Sequence, residues 1–303
     1  MLIVVNPYSA GGTALKKWEK VIPKIPTNAE VIFLNHTSNP GKKIKAVLSE
    51  GNYEFAAAGG DGTVNLLLNK ILTAADSQNI NKIKLGAIGL GSSNDFHKPF
   101  KGKRDIPLKI NFENAEARDI GYILYKKNDD EIKKYFLINA SMGITADANY
   151  FFNNPDYILG YLKKINTNIA ITYSALRTIL KHRNRDVKIF CQEKGSQICR
   201  LTNLGVVKNP NFSGNLSYGG SANYDNGKLD IYLCHDMNKP DLFNLLMALS
   251  SHKFLRNKTK SWITTELEIS SENSFSVEFD GEVITTNQVK FGILPKYLKV
   301  CHD

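Results

Sequence analysis

At 303 residues, 42% of them hydrophobic, the chain is long enough for one large domain or two ordinary ones, and its composition excludes a disordered protein. The formal net charge of +10 leaves nucleic acid, an anionic membrane surface or a polyanionic small molecule such as ATP as partners. No basic and aromatic module is visible, which argues against nucleic acid. Basic clusters at 98–104, 181–185 and 253–260 also serve solubility.

The apolar run at 1–5 is too short for a signal peptide, and no stretch approaches the ~18 apolar residues of a membrane span. A cytoplasmic protein is expected, or one peripheral to the inner face of a membrane. The four cysteines show no CxxC spacing, so zinc is not expected. Cys191 and Cys199 flank a turn at 193–196 and are expected to face each other across a hairpin as reduced thiols.

In chain order, residues 2–5 read as a buried strand ending in the small-residue loop 6–12, and 13–25 as a helix. Strand 31–34, helix 41–48 and strand 55–58 follow. Gly59-Gly60-Asp61-Gly62-Thr63 is a turn into an apolar helix at 64–72, and strand 84–88 runs into a second small-residue loop at 89–95. Alternating strands and helices predict a parallel sheet, with ligands at the C-terminal ends of its strands. The pattern changes near 118. Strands are expected at 117–125, 134–140, 186–192, 198–207, 228–234, 266–270, 274–279 and 288–294, with helices at 157–182 and 240–255. The domains are therefore 1–118, completed by 295–303, and a largely antiparallel 119–294.

Two adjacent glycines before a helix let backbone approach phosphate oxygens, and the helix offers free N–H groups and its positive end. A carboxylate there suits Mg²⁺ or a proton, although a tight turn with an Asp cap explains the same residues. Neither loop is a Walker A sequence, and Asn94 stands where a dinucleotide fingerprint needs its third glycine. Asp280-Gly281-Glu282 reads as turn chemistry, or as a general base or metal-linked carboxylate. His97 is expected at the surface. The apolar segments 157–180 and 242–255 suit core packing, a pocket for lipid tails or an interfacial face. Lys181, His182, Arg183 and Arg185 beside them could attract anionic headgroups.

Together the segments Asn6-Pro7-Tyr8-Ser9-Ala10-Gly11, 59–65, Gly91-Ser92-Ser93-Asn94-Asp95-Phe96, Asn139-Ala140-Ser141-Met142-Gly143, 225–230 and Asp280-Gly281-Glu282 resemble the diacylglycerol kinase catalytic-domain family, which includes sphingosine kinases. The resemblance implies an α/β N-terminal nucleotide-binding domain with a parallel sheet and a C-terminal, mostly antiparallel β-sandwich domain. It also implies an ATP- and Mg²⁺-dependent lipid kinase. ATP would be bound by Asn6, Pro7, Tyr8, Ser9, Ala10, Thr37, Gly60, Asp61, Gly62, Thr63, Val64, Asn65, Leu66 and Ser92. Glu282 would be the general base, with Asp61 positioning Mg²⁺ and phosphate or acting as the base itself, and Asp280 beside them. Asn223, Asn226 and the Lys228 carbonyl would hold a structural Mg²⁺.

The chain departs from the family pattern at Leu66, where Glu is frequent, at Ser93, and at Asn226, where Asp is expected. NAD kinase shares the Gly-Gly-Asp-Gly turn, but the Asn6-Pro7 loop and Asp280-Gly281-Glu282 fit lipid kinases better. Leu66 and Asn226 also allow a relative that binds nucleotide or lipid without turnover.

Overall fold

The computed structural model describes residues 1–35, 39–100, 106–128, 130–255 and 257–302, the side chains of 167 and 168 excepted. The chain divides into two units, Met1–Ile120 with Pro295–Asp303, and Gly121–Leu294.

The first unit contains β1 (Leu2–Val5), α1 (Ala14–Val21), β2 (Glu30–Phe33), α2 (Gly41–Ser49), β3 (Glu54–Gly59), α3 (Asp61–Ala74), β4 (Lys84–Gly89) and β5 (Leu108–Lys109). Strands pair in parallel in the order β2-β1-β3-β4. All four residues of β1 are buried, as a strand covered on both faces requires. Helix α1 buries Ala14, Trp18 and Val21 on one stripe, against Ile3, Val5, Ala56 and Ala58. The C-terminal ends of β1, β3 and β4 open into the loops at 6–12, 60 and 90–94. Strand β6 (Asn111–Lys127) then carries the chain into the second unit.

The second unit continues with β7 (Asp130–Phe136), β8 (Asn139–Gly143), α4 (Ile144–Asn153), α5 (Tyr157–Ile165), α6 (Thr167–Lys181), β9 (Arg185–Cys191) and β10 (Gly195–Val207). After the short β11 (Asn211–Phe212) and β12 (Leu216–Ser217) come β13 (Leu229–His235), α7 (Lys239–Ser250), β14 (Thr259–Thr264), β15 (Glu266–Phe279) and β16 (Glu282–His302). The described pairings among these strands are antiparallel, including β13 with β10, β10 with β8, β8 with β15 and β15 with β16. Phe136, Ile189, Leu204, Ile231, Phe275 and Phe291 centre the core. The end of β16 belongs to the first unit, where Lys299 and Val300 pair in parallel with Lys84 and Leu85 of β4.

Several elements differ from the sequence reading. The strand expected at 134–140 is broken after Phe136, because the Asp280 carboxylate accepts the N–H groups of Leu137 at 2.7 Å, Ile138 at 2.9 Å and Asn139 at 3.0 Å. Asp280 sits at a positive φ of 44° in the β15–β16 turn and is buried, so the turn is held by what its side chain ties together. The helix expected at 157–182 is two helices, parted at Asn166, whose backbone is extended (φ −156°, ψ 117°). The strands expected at 266–270 and 274–279 are one, with a register shift between Ser270 and Phe275 that absorbs the polar residues between them. Cys191 lies opposite Gly195 and Cys199 opposite Val187, so they do not face each other, and all four thiols are free. His97 is buried rather than at the surface, with no hydrogen-bond partner on either ring nitrogen. Burial, with the nearby Lys109 charge, pushes its pKa down to about 3.

Replacing Asp280 by Ala strands three donors, two of them buried, and we expect a loss of about 3 kcal/mol or more in urea unfolding. A loss under about 1 kcal/mol would remove this carboxylate from its tying role. His97 is neutral when folded, whereas the unfolded imidazole takes a proton below about pH 6.5, so acid favours unfolding as pH falls from there towards the folded pKa. His97→Phe should flatten stability against pH by up to about 1.4 kcal/mol per unit in that window. Equal slopes for the two proteins would refute the assignment.

Candidate functional site

In the first unit two glycine turns meet backbone to backbone. A Cβ at Gly91 would lie 2.4 Å from the Cα of Gly60, so a side chain there cannot coexist with the neighbouring turn. Gly59 O accepts the N–H groups of Leu90 at 2.9 Å and Gly91 at 3.0 Å. A Cβ at Gly59 would collide with Thr63 Oγ1, which instead accepts Asn6 Nδ2 at 3.1 Å. Asn6 Oδ1 accepts the Tyr8 N–H at 3.1 Å, so one side chain joins the loop after β1 to the first turn of α3.

Asp61 opens α3, where the helix dipole favours a negative charge, and its Oδ1 accepts the Phe96 N–H at 2.9 Å. A Cβ at Gly62 would meet nothing within 4 Å, so the turn is open on that side. Asn94 has a positive φ of 50°, which Asn tolerates, and its side chain closes the 89–94 loop by accepting from Gly91 N at 3.0 Å and donating to Gly89 O at 3.2 Å.

The expected nucleotide residues divide accordingly. Asn6, Pro7, Ser9, Ala10, Gly60, Asp61, Gly62 and Leu66 are half-buried, Tyr8 and Ser92 are exposed, and Thr63, Val64 and Asn65 are buried. Val64 packs inward, so only its main chain is available to a ligand. Thr37 lies outside the described residues.

Three lysines that no motif marks serve these loops. Lys17 of α1 donates to Leu90 O at 3.1 Å and Gly91 O at 2.9 Å, and burial lowers its pKa. Lys98, from a cluster read as serving solubility, is buried and pairs with Asp95 at 2.6 Å. Lys109 is buried with its ammonium on Phe96 O at 3.2 Å. Carbonyl partners leave no trace in sequence, which is why only Asp95, within a quoted motif, stood out.

In the second unit Glu282 is exposed at the start of β16, and the Asp280 oxygens bind the amides of 137–139. Glu278, missed in the sequence, is buried and accepts from Ser141 Oγ and Gly281 N, both at 2.8 Å, which fixes the turn carrying Glu282. Among the metal candidates Asn223 is exposed, while Asn226 Oδ1 and the Lys228 carbonyl both accept from the Lys208 ammonium. Among the described residues no group of three or more His, Cys, Asp or Glu could hold a metal.

Helices α5 and α6 leave an apolar face uncovered. Tyr157, Ile158, Tyr161 and Ile165 form one exposed stripe, and Ile169, Leu176 and Leu180 another, with Tyr157 at 91% exposure. A cavity of about 1190 Å³ at the end of α6 is lined by Arg177, Lys181, Arg183 and Lys188 among others, all from the second unit. Of these, Arg177 is paired with Asp156. Among the described residues no helix is long and apolar enough to cross a membrane.

Comparison with known proteins places these features. The profile of the diacylglycerol kinase catalytic domain matches residues 1–121, and that of the YegS C-terminal NAD kinase beta sandwich-like domain matches 140–302. A Staphylococcus haemolyticus chain named "putative lipid kinase" is 21% identical over 292 residues, covering 93% of this chain and 89% of its own. A Bacillus anthracis structure described as a diacylglycerol kinase superposes with a TM-score of 0.64 at 15% identity, over 100% of this chain and 96% of that one. A second from the same organism, titled as a "putative diacylglycerol kinase", gives 0.69 at 18%, over 100% and 94%. These two structures share the fold. The profiles, which between them reach both units, show that this chain belongs to the diacylglycerol kinase catalytic-domain family of kinases.

Proposed function

We propose that the chain transfers the γ-phosphate of ATP to the hydroxyl of a lipid, with a diacylglycerol- or sphingosine-like acceptor. The observation that carries this reading is the contact of Gly60 with Gly91. It brings two side-chain-free turns together at the ends of β3 and β4, beside the N-terminus of α3. Such a surface offers amide N–H groups and a positive dipole end to phosphate oxygens. Phosphoryl transfer needs little more from a protein than positioning and charge neutralisation.

The first turn of α3 fits a triphosphate, being open at Gly62 and joined to the Asn6 loop through Thr63. Asn6, Gly60, Gly62 and Thr63 would hold the phosphates, with Pro7, Tyr8, Ser9, Ala10, Leu66 and Ser92 around the nucleotide. Asp61 also suits Mg²⁺, which is commonly bound by one or two carboxylates together with substrate phosphates. The ion would neutralise phosphate charge. Lys17 adds a fixed positive charge to the same loop.

Glu282 is the general base in this reading. It is exposed, whereas the two acids before it, Glu278 and Asp280, are committed to backbone and Ser141. Asp280 therefore acts as the holder of the turn.

The apolar stripes of α5 and α6, with Lys164, Lys181 and Arg183 exposed near them, supply a face for an anionic bilayer from which a lipid could be drawn. Each basic residue near such a surface adds on the order of 1 kcal/mol.

Labelled ATP with a panel of diacylglycerol, sphingoid base, ceramide, phosphatidylglycerol and polyprenol, read by thin-layer chromatography, should give one phosphorylated lipid. NADP formed from NAD in place of any lipid product would reverse the assignment. Glu282→Gln should lower kcat by about 100-fold or more with the fold intact, the range of general-base catalysis. Full activity in this variant, with loss in Asp61→Asn, would move the base to Asp61. Vesicles containing phosphatidylglycerol should retain the protein more than neutral vesicles do, and Tyr157→Ser with Tyr161→Ser should weaken retention. Unchanged retention, with loss of a concentration-dependent dimer, would make the face a self-association surface.

A further inference from the structure

Lys208 follows directly on β10 and is 1% exposed. Its backbone N–H and that of Asn209 both donate to Ile138 O at 2.9 Å, so the base of the side chain is fixed. The ammonium donates to Asn226 Oδ1 at 2.9 Å and to the Lys228 carbonyl at 2.8 Å. Asn226 Oδ1 also accepts the Lys228 N–H at 3.0 Å, which curls the loop around the ammonium.

These two oxygens are the ones that family resemblance gives to a structural Mg²⁺, and the residues present do not fit that ion. Mg²⁺ requires oxygens at about 2.0–2.1 Å in a near-octahedral set and favours carboxylates. Here Asn226 is a neutral amide, and both oxygens already face a positively charged nitrogen at ordinary charge-assisted hydrogen-bond distance. The charges also balance. A divalent ion with an aspartate at 226 would carry one net positive charge, as does an ammonium with an asparagine.

We propose that the Lys208 ammonium is a built-in cation that takes the place of the structural metal, pinning the 223–228 loop to the end of β10. The loop is then held without regard to divalent ion supply. This inference is independent of which substrate the protein phosphorylates.

The test uses nucleotide-free protein, so that an ion bound with ATP does not contribute. After treatment with EDTA, thermal unfolding is followed with increasing Mg²⁺ and, separately, Ca²⁺. A site filled to a hundred times its Kd would raise Tm by about 4–10 °C. We expect no saturable rise for the wild type, and a rise of that size with either ion would overturn the proposal. Lys208→Met should lower Tm by about 3–8 °C, because the 223–228 loop loses the charged donor that ties the Asn226 amide and the Lys228 carbonyl to the end of β10. An unchanged Tm in this variant would equally overturn it. The wild-type titration decides the matter even if the variant does not fold.

Discussion

The first unit depends on the approach of two main chains at Gly60 and Gly91. Neighbouring parallel strands lie about 4.8 Å apart, and turns leaving both at the same end normally diverge to make room for side chains. Here the second turn is drawn in, because Gly59 O takes the N–H groups of Leu90 and Gly91 together. A single methyl group at Gly91 would break that arrangement. The neighbouring tethers follow from it. Phe96 N–H reaches Asp61, Asn94 closes its loop on Gly89 and Gly91, and Lys17 covers the carbonyls left at Leu90 and Gly91.

The second unit reaches a comparable end with a side chain. Asp280 can accept three amides only because the strand before Asn139 is broken, and the break exists only because Asp280 satisfies what the ladder gives up. Glu278 performs the same service one turn away, with Ser141 and Gly281. The result is a rigid hairpin tip on which Glu282 is the acid left exposed. An exposed carboxylate on a stiff support is a better proton acceptor for an incoming hydroxyl than a buried one already filled with donors.

This division explains what could be read in the sequence. The parallel strands were legible because they are short apolar runs, ending in Asn6-Pro7 at β1 and in glycine at β3 and β4, and the glycine turns because their residues are contiguous. The break at 137–138 was not, since Leu137 and Ile138 continue an apolar pattern and the partner that breaks it lies more than 140 positions away. Asn166 parts α5 from α6 with an extended backbone and a side chain whose Oδ1 accepts the Ile169 N–H at 3.3 Å, and a helical pattern on both sides hides it. Helix α4 was missed because Gly143, at a φ of 91°, turns the end of β8 directly into it, with no polar cap to announce the start. His97 and Lys98 were misjudged as surface residues because polarity was taken for exposure.

The same misjudgement bears on the charge of the whole molecule. A net charge of +10 reads as a surface property, yet Lys98, Lys109 and Lys208 are buried, each against oxygen. A buried ammonium is costly unless several acceptors replace its water. Main-chain carbonyls at loop ends, which lack a ladder partner, are suited to that task. Lysine has the reach to collect two oxygens of one distant loop, as Lys17 does at Leu90 and Gly91 and Lys208 does with the Lys228 carbonyl and the Asn226 amide. Part of the basicity is therefore internal and fastens loops that a metal or a longer hydrogen-bonded strand would otherwise hold. On and beside α5 and α6, by contrast, Lys164, Lys181 and Arg183 are exposed.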